Sequence, residues 1–150
     1  MNRKLKLTVV RMKIVITTDS EVLNDRLQKM LGGIQDIVVE AKGKDMDEAC
    51  RLVNSTEADA LIISFNRINT QVFNKLLEIK NGRPDLVVIV LSSYPFVQYK
   101  IEWKKAGADY VFDQAMQFSK MVDVLCDLLY KHKLGVLLSK KALTNKSSIT

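Results

Sequence analysis

Histidine and cysteine are scarce in this 150-residue sequence, and acid is missing near its ends. The single histidine, His132, has no neighbouring nucleophile, and no G-x-S-x-G stands anywhere. A nucleophile–base pair therefore cannot be assembled from recognisable parts, and an enzyme is not expected. The two cysteines, Cys50 and Cys126, form no C-x-x-C pair and have no histidine beside them, which leaves metal and redox roles without support. Both are expected to be small buried apolar residues in a reducing cytosol. No apolar run approaches the roughly 20 residues of a membrane span. Leu7–Val10 is too short for a signal-peptide core, so a cytoplasmic chain with no membrane partner is expected.

Acid is missing where base collects. Residues 1–13 carry Arg3, Lys4, Lys6, Arg11 and Lys13; residues 131–150 carry Lys131, Lys133, Lys140, Lys141 and Lys146; neither segment holds an acid. Taking those ten from 23 bases leaves 13 against 17 acids in 14–130, so a mildly acidic body lies between basic ends. Nucleic-acid modules more often spread base over one folded face, which makes nucleic acid an unlikely partner. A domain of this length buries roughly two thirds of its unfolded surface, enough for an independent core.

What the chain does have is alternation. Lys13–Thr17, Ile37–Ala41, Ala60–Phe65, Leu86–Leu91 and Tyr110–Phe112 read as strands, and amphipathic segments with helical spacing separate them. Thr18-Asp19-Ser20 offers cap chemistry to a first helix that ends at Gly32-Gly33, where glycine admits a left-handed turn. Asp45 with Glu48 resembles a capping box. Further helices are expected over about 71–80, 96–106 and 118–131. The uninterrupted L-V-V-I-V-L of Leu86–Leu91 implies a strand covered on both faces, as in a parallel sheet. Five β–α units argue for an α/β, doubly wound sheet with right-handed crossovers.

The stretch Leu91–Asp113, L-S-S-Y-P-F-V-Q-Y-K-I-E-W-K-K-A-G-A-D-Y-V-F-D, resembles the receiver domains of bacterial two-component response regulators. Its Tyr-Pro-x-x-Gln-Tyr and Gly-Ala-Asp-Tyr are similar to those of single-domain receivers, and the likeness spans about 12–132. Residues 1–11 are then a basic extension and 133–150 a basic, flexible tail. The resemblance implies a flavodoxin-like, five-stranded parallel sheet of order 2-1-3-4-5, with its site beyond the strands' carboxyl ends. There the family transfers a phosphoryl group to a strand-three aspartate, with Mg²⁺, a Ser/Thr hydroxyl and a lysine holding the charge.

Carried onto this chain, those positions are mostly vacated of reactive groups. The acidic pair falls on Thr18 and Asp19, the phosphoacceptor on Ser64, the hydroxyl on Ser92 and the lysine on Gln114. Ile68 and Asn69 stand where proline and glycine are usual, and Val111 where an aromatic switch is usual. Asp19 reads either as a residual cation ligand or, preferably, as a helix cap. With one acid left, Mg²⁺ binding at Asp19 is expected to be weak or absent, and no cofactor is expected. Ser92-Ser93 lacks the glycine of an anion cradle.

The family also docks partners and dimerises through helix four, strand five and helix five. On this chain Tyr99, Trp103, Lys104, Lys105, Val111 and Asp113 would form that face. The expected function is phosphate-independent protein binding, to a histidine kinase, another regulator or a second copy. A receiver with residual ligand- or ion-dependent switching at Asp19 is the alternative. A flavin carrier is a poorer fit because T-T-D-S-E is no phosphate cradle, and no helix-turn-helix length follows His132.

Overall fold

Strands that are apolar at every position need cover on both faces, and the fold supplies it. The computed structural model describes residues 10–92, 96–115 and 117–149. Its elements are β1 (Met12–Thr18), α1 (Glu21–Gly32), β2 (Ile37–Gly43), α2 (Met46–Thr56), β3 (Ala60–Ser64), α3 (Thr70–Gly82), β4 (Val87–Ser92), α4 (Phe96–Lys105), β5 (Tyr110–Asp113) and α5 (Phe118–Ile149). All strand pairs are parallel, in the order β2-β1-β3-β4-β5. This is the flavodoxin-like order that the receiver resemblance implied.

Successive strand side chains point to opposite faces, so each strand feeds two cores. Val15, Leu61, Ile63, Val88 and Val90 pack with Ala49, Val53, Leu76 and Trp103, beneath α2, α3 and α4. Ile14, Ile16, Ile62, Ile89 and Leu91 pack with Leu23, Leu27, Met121 and Leu125, beneath α1 and α5. Two aspartates fix the strands' starting ends. Asp59, just before β3, accepts the Lys13 amide at 2.8 Å; Asp109, just before β5, accepts the Val88 amide at 2.7 Å. Lys80 closes the second of these, its Nζ 3.0 Å from Asp109 and 2.7 Å from the Leu86 carbonyl. The aspartate of the A-G-A-D motif is therefore a structural clasp.

Several local expectations need correction. Ser20 caps α1, its hydroxyl accepting the Leu23 amide at 3.2 Å; Asp19 lies one residue too early to do so. Gly33 follows α1 with φ −84°, in the right-handed region, and the left-handed residue is Asp36 at φ 68°. The reversal falls where the chain enters β2, at a residue type that tolerates it. Asp45 does cap α2, accepting the Glu48 amide at 2.8 Å. Cys50 is only partly buried and Cys126 is exposed, since each sits beside its helix's inward stripe and not on it.

The largest difference is the last helix. It does not stop near Lys131 but continues to Ile149, so 133–149 is helix and not a tail without structure. Gly135 is the one helix-breaking residue type in that stretch, among Leu, Lys and Ala, which favour helix. Lys133 on this helix pairs with Asp36 of the α1–β2 turn. The N-terminal extension through residue 9, Ser93-Tyr94-Pro95 of the recognised motif, Met116 and Thr150 lie outside the described residues.

Candidate functional site

The carboxyl ends of β1, β3, β4 and β5 bring Thr18, Ser64, Ser92 and Gln114 together, as parallel pairing of consecutive β–α units requires. Thr18 is in register with Ser64, and Ser92 with Asp113. Ser64 and Ser92 are almost fully buried, Thr18 nearly so, and Gln114 is half-buried. The Gln114 amide donates to the Ser92 carbonyl at 2.9 Å, which carries the β4–β5 pairing one residue past the strand.

The central contact joins two residues fifty positions apart. The Ser64 hydroxyl donates to Gln114 Oε1 at 3.1 Å, a neutral hydrogen bond at the floor of the site. Neither group carries charge, and each satisfies the other where burial would otherwise leave a polar atom unpaired. The Thr18 hydroxyl accepts the Ser20 amide at 3.1 Å and so belongs to the turn into α1.

Asp19 has a different task from the one expected. Its two carboxylate oxygens accept the Asn66 amide at 2.9 and 3.1 Å, and one of them the Arg67 amide at 3.3 Å. The side chain is a clasp between the β1–α1 and β3–α3 loops. Asn69 then caps α3, accepting the Val72 amide at 3.2 Å. Asp19→Asn leaves one neutral acceptor oxygen where two charged ones stood. Amide exchange at Asn66 and Arg67 is expected to speed up roughly tenfold, the equivalent of about 1.4 kcal/mol, with amides of β3 unchanged. Equal protection in both proteins would show that the clasp does not hold the loop.

Cation-binding chemistry has few donors here. Among the described residues no group of three His, Cys, Asp or Glu side chains is placed to hold a metal ion. A cleft of about 500 Å³ lies to one side, between the first turn of α1 and the β2–α2 loop, lined by Asp19, Asn24, Lys42, Lys44 and Glu48. Ser64, Ser92 and Gln114 are not among its lining residues. A smaller cleft of about 250 Å³ beyond Asp19 is bordered by Lys44, Asp47, Arg67 and Lys75. There the Asp47 carboxylate, 3.2 Å away, holds the Lys75 ammonium above the usual lysine range, with Glu78 adding to it.

On the expected partner face the structure divides the candidates. Trp103 is fully buried and packs edge-on against Phe73, ring centres 4.9 Å apart; it is a core residue and no partner anchor. Val111 is buried too, because β5's central residue points under α4. Tyr99 is partly buried against the same core, Asp113 is half-buried with its carboxylate accepting the Ala115 amide, and Lys104 is exposed with its Nζ on the Asp109 carbonyl. Among the described side chains of α4 the exposed apolar ones are Val97 and Ile101, at 73% and 53%. Helical spacing carried that signal: Tyr99, Trp103 and Ala106 make the inward stripe, which leaves Val97 and Ile101 outside.

No family model matches the chain, and no curated protein does. Many solved structures do. The response regulator domain of Thermotoga maritima CheB aligns with a TM-score of 0.67 at 18% identity, over 82% of this chain and 96% of that one. The signal receiver domain of an HD domain-containing protein from Pseudomonas fluorescens gives 0.66 at 20%, over 81% and 97%. A LuxR-family two-component response regulator from Aurantimonas gives 0.65 at 15%, over 78% and 86%. The fold is that of a receiver domain.

Proposed function

We propose that the chain is a receiver-type signalling protein that takes up no phosphate and acts through standing protein–protein contact. The observation that carries this reading is the Ser64–Gln114 hydrogen bond. It occupies the two positions where the receiver resemblance puts the phosphoacceptor aspartate and its lysine. A serine hydroxyl with no base beside it is a poor nucleophile, and a glutamine offers no fixed charge to a phosphoryl oxygen. Magnesium fits the remaining donors badly. Of the family's three carboxylates Asp19 alone is left, and its oxygens already serve the Asn66 and Arg67 amides.

In this reading the working surface is the α4–β5 face, with Val97 and Ile101 at its centre and Lys104 and Lys105 beside them. The partner is a histidine kinase, another regulator or a second copy, met in the cytoplasm, and no catalysis is involved. The test is chemical. Incubation with acetyl phosphate and Mg²⁺ is expected to leave the intact mass unchanged, and beryllofluoride to leave the amide resonances of residues 18, 64, 92 and 114 unshifted. A phosphate-bearing mass lost on Mg²⁺ omission overturns the reading.

A further inference from the structure

Asn24, one turn into α1, is 7% exposed, and it is the polar residue among the buried Leu23, Leu27 and Leu31 of that helix. Its Oδ1 accepts from Gln28 Nε2 at 3.3 Å, and its Nδ2 donates to no described residue. Among the described residues the side-chain polar atoms both unpaired and fully occluded are Thr17 Oγ1 and Trp103 Nε1, so the Asn24 nitrogen is not sealed into the core. It opens on the cleft of about 500 Å³ beside α1. A carboxamide held almost wholly from water with two hydrogens unused destabilises a fold, unless something in the cleft takes them.

The charges around that nitrogen are arranged on two walls. Lys42 is in register with Ile16 and so stands on the sheet face that α1 covers, the side on which Asn24 lies. Lys44 follows it in the lining, and the first turn of α1 carries Glu21 on the other wall. None of these three side chains makes an ion pair or hydrogen bond with a described residue, although all border one cleft. The two remaining acids of the lining are engaged. Asp19 holds the Asn66 and Arg67 amides, and Glu48 Oε2 accepts the Lys44 amide at 3.0 Å.

Charge then selects the ligand. Three carboxylates against two ammonium groups leave the lining near neutral. A nucleotide or sugar phosphate, bringing two or more negative charges, meets net repulsion there. The volume suits a small molecule, since such sites run from roughly 300 to 1,000 Å³. The rest of the described lining is the hydroxyls of Thr18 and Ser20 and the backbone of Gly43, which favours a polar occupant. We propose that the cleft binds a free α-amino acid, its carboxylate taken by Lys42, Lys44 and the Asn24 Nδ2 hydrogens, its ammonium by Glu21. The carboxylate supplies the acceptor that Nδ2 lacks, in charge-assisted hydrogen bonds, which are the stronger kind. This site is separate from the Ser64–Gln114 pair and from the α4–β5 face, and it does not rest on the function proposed for them.

Amide and carboxamide NMR spectra of the full chain test it, with glutamine, asparagine, serine, glutamate, arginine and leucine each added to about 10 mM. At least one of the polar five is expected to shift the Asn24 carboxamide pair and the Gly43 amide saturably, with a Kd of about 1 mM or below. Its N-acetyl and α-carboxamide derivatives each lack one charge and are expected to bind roughly tenfold more weakly or worse. Lys42→Gln and Glu21→Gln, both at exposed positions that the core does not need, are each expected to weaken the amino acid roughly tenfold. Glu21→Gln leaves the affinity for the N-acetyl derivative unchanged, because no ammonium is there to lose. Asn24→Leu is expected to abolish the Gly43 response while the amides of β3 keep their positions. No saturable shift from any of the six, equal binding of the N-acetyl derivative, or an undiminished response in Glu21→Gln or Asn24→Leu overturns the proposal. So does tighter binding of inorganic phosphate than of any amino acid, which assigns the cleft to anions alone.

Discussion

Trp103→Ala is expected to cost the fold about 3–5 kcal/mol, a large share of the 5–15 kcal/mol typical of a domain. The side chain is fully buried beneath α4, where it meets Phe73 edge-on at 4.9 Å and closes the core shared by β3, β4 and β5. Removing it deletes the largest apolar side chain between α4 and the sheet and leaves a cavity the size of an indole. Its indole N–H has no hydrogen-bond partner among the described residues, so polarity is not what the position requires. Trp103→Phe is accordingly expected to lose much less, about 1–2 kcal/mol, chiefly as unfilled volume. Urea unfolding followed by circular dichroism separates the two cases, through a lowered midpoint at unchanged slope. A Trp103→Ala protein as stable as the parent would return the residue to the surface.

That residue also marks how far the sequence could be read. The strands were legible as short β-branched runs between turn residues, and β3 and β4, apolar almost throughout, point to the middle of a parallel sheet. Their order came through the family resemblance. An aromatic on a helix, by contrast, says nothing of inside or outside until its neighbours are counted at helical period. Counting Tyr99, Trp103 and Ala106 together turns the supposed anchor inward and brings Val97 and Ile101 out. The end of α5 was missed for a related reason. The core-facing stripe stops near Leu129, and the outward one that continues from Tyr130 gives no sign of its own partner within a single chain.

At the site, residue identities were legible and residue contacts were not. Thr18, Ser64, Ser92 and Gln114 follow from their places after successive strands. The bond from Ser64 to Gln114 spans three strands and fifty residues, so local pattern does not contain it. Asp19 was misassigned because cap chemistry is local and was visible. The Asn66 and Arg67 amides it serves come near only once β1 and β3 pair.

In the proposed reading the scaffold keeps the shape of a phosphate pocket and lacks its charges, so restoring charge is expected to restore uptake. Ser64→Asp alone places a carboxylate at a 2% exposed position beside a neutral amide. With no cation to compensate it, the fold is expected to lose about 3 kcal/mol or more. Gln114→Lys alone is expected to cost less, about 1 kcal/mol, because it takes the acceptor from the Ser64 hydroxyl while the half-buried position lets the ammonium reach water. Combined, the introduced charges lie where Ser64 Oγ and Gln114 Oε1 already meet at 3.1 Å. A double-mutant cycle is then expected to show about 1–3 kcal/mol of favourable coupling. Adding Thr18→Asp supplies, with Asp19 and Ser64→Asp, the three carboxylates of the receiver resemblance, hard oxygen donors of the kind a divalent ion takes. Acetyl phosphate with Mg²⁺ is expected to add phosphate to this triple variant and to neither single one, as intact mass reads directly. A folded triple variant that stays unmodified, with no coupling between positions 64 and 114, would mean that these residues never formed a phosphoryl pocket and that the receiver comparison reaches no further than the backbone.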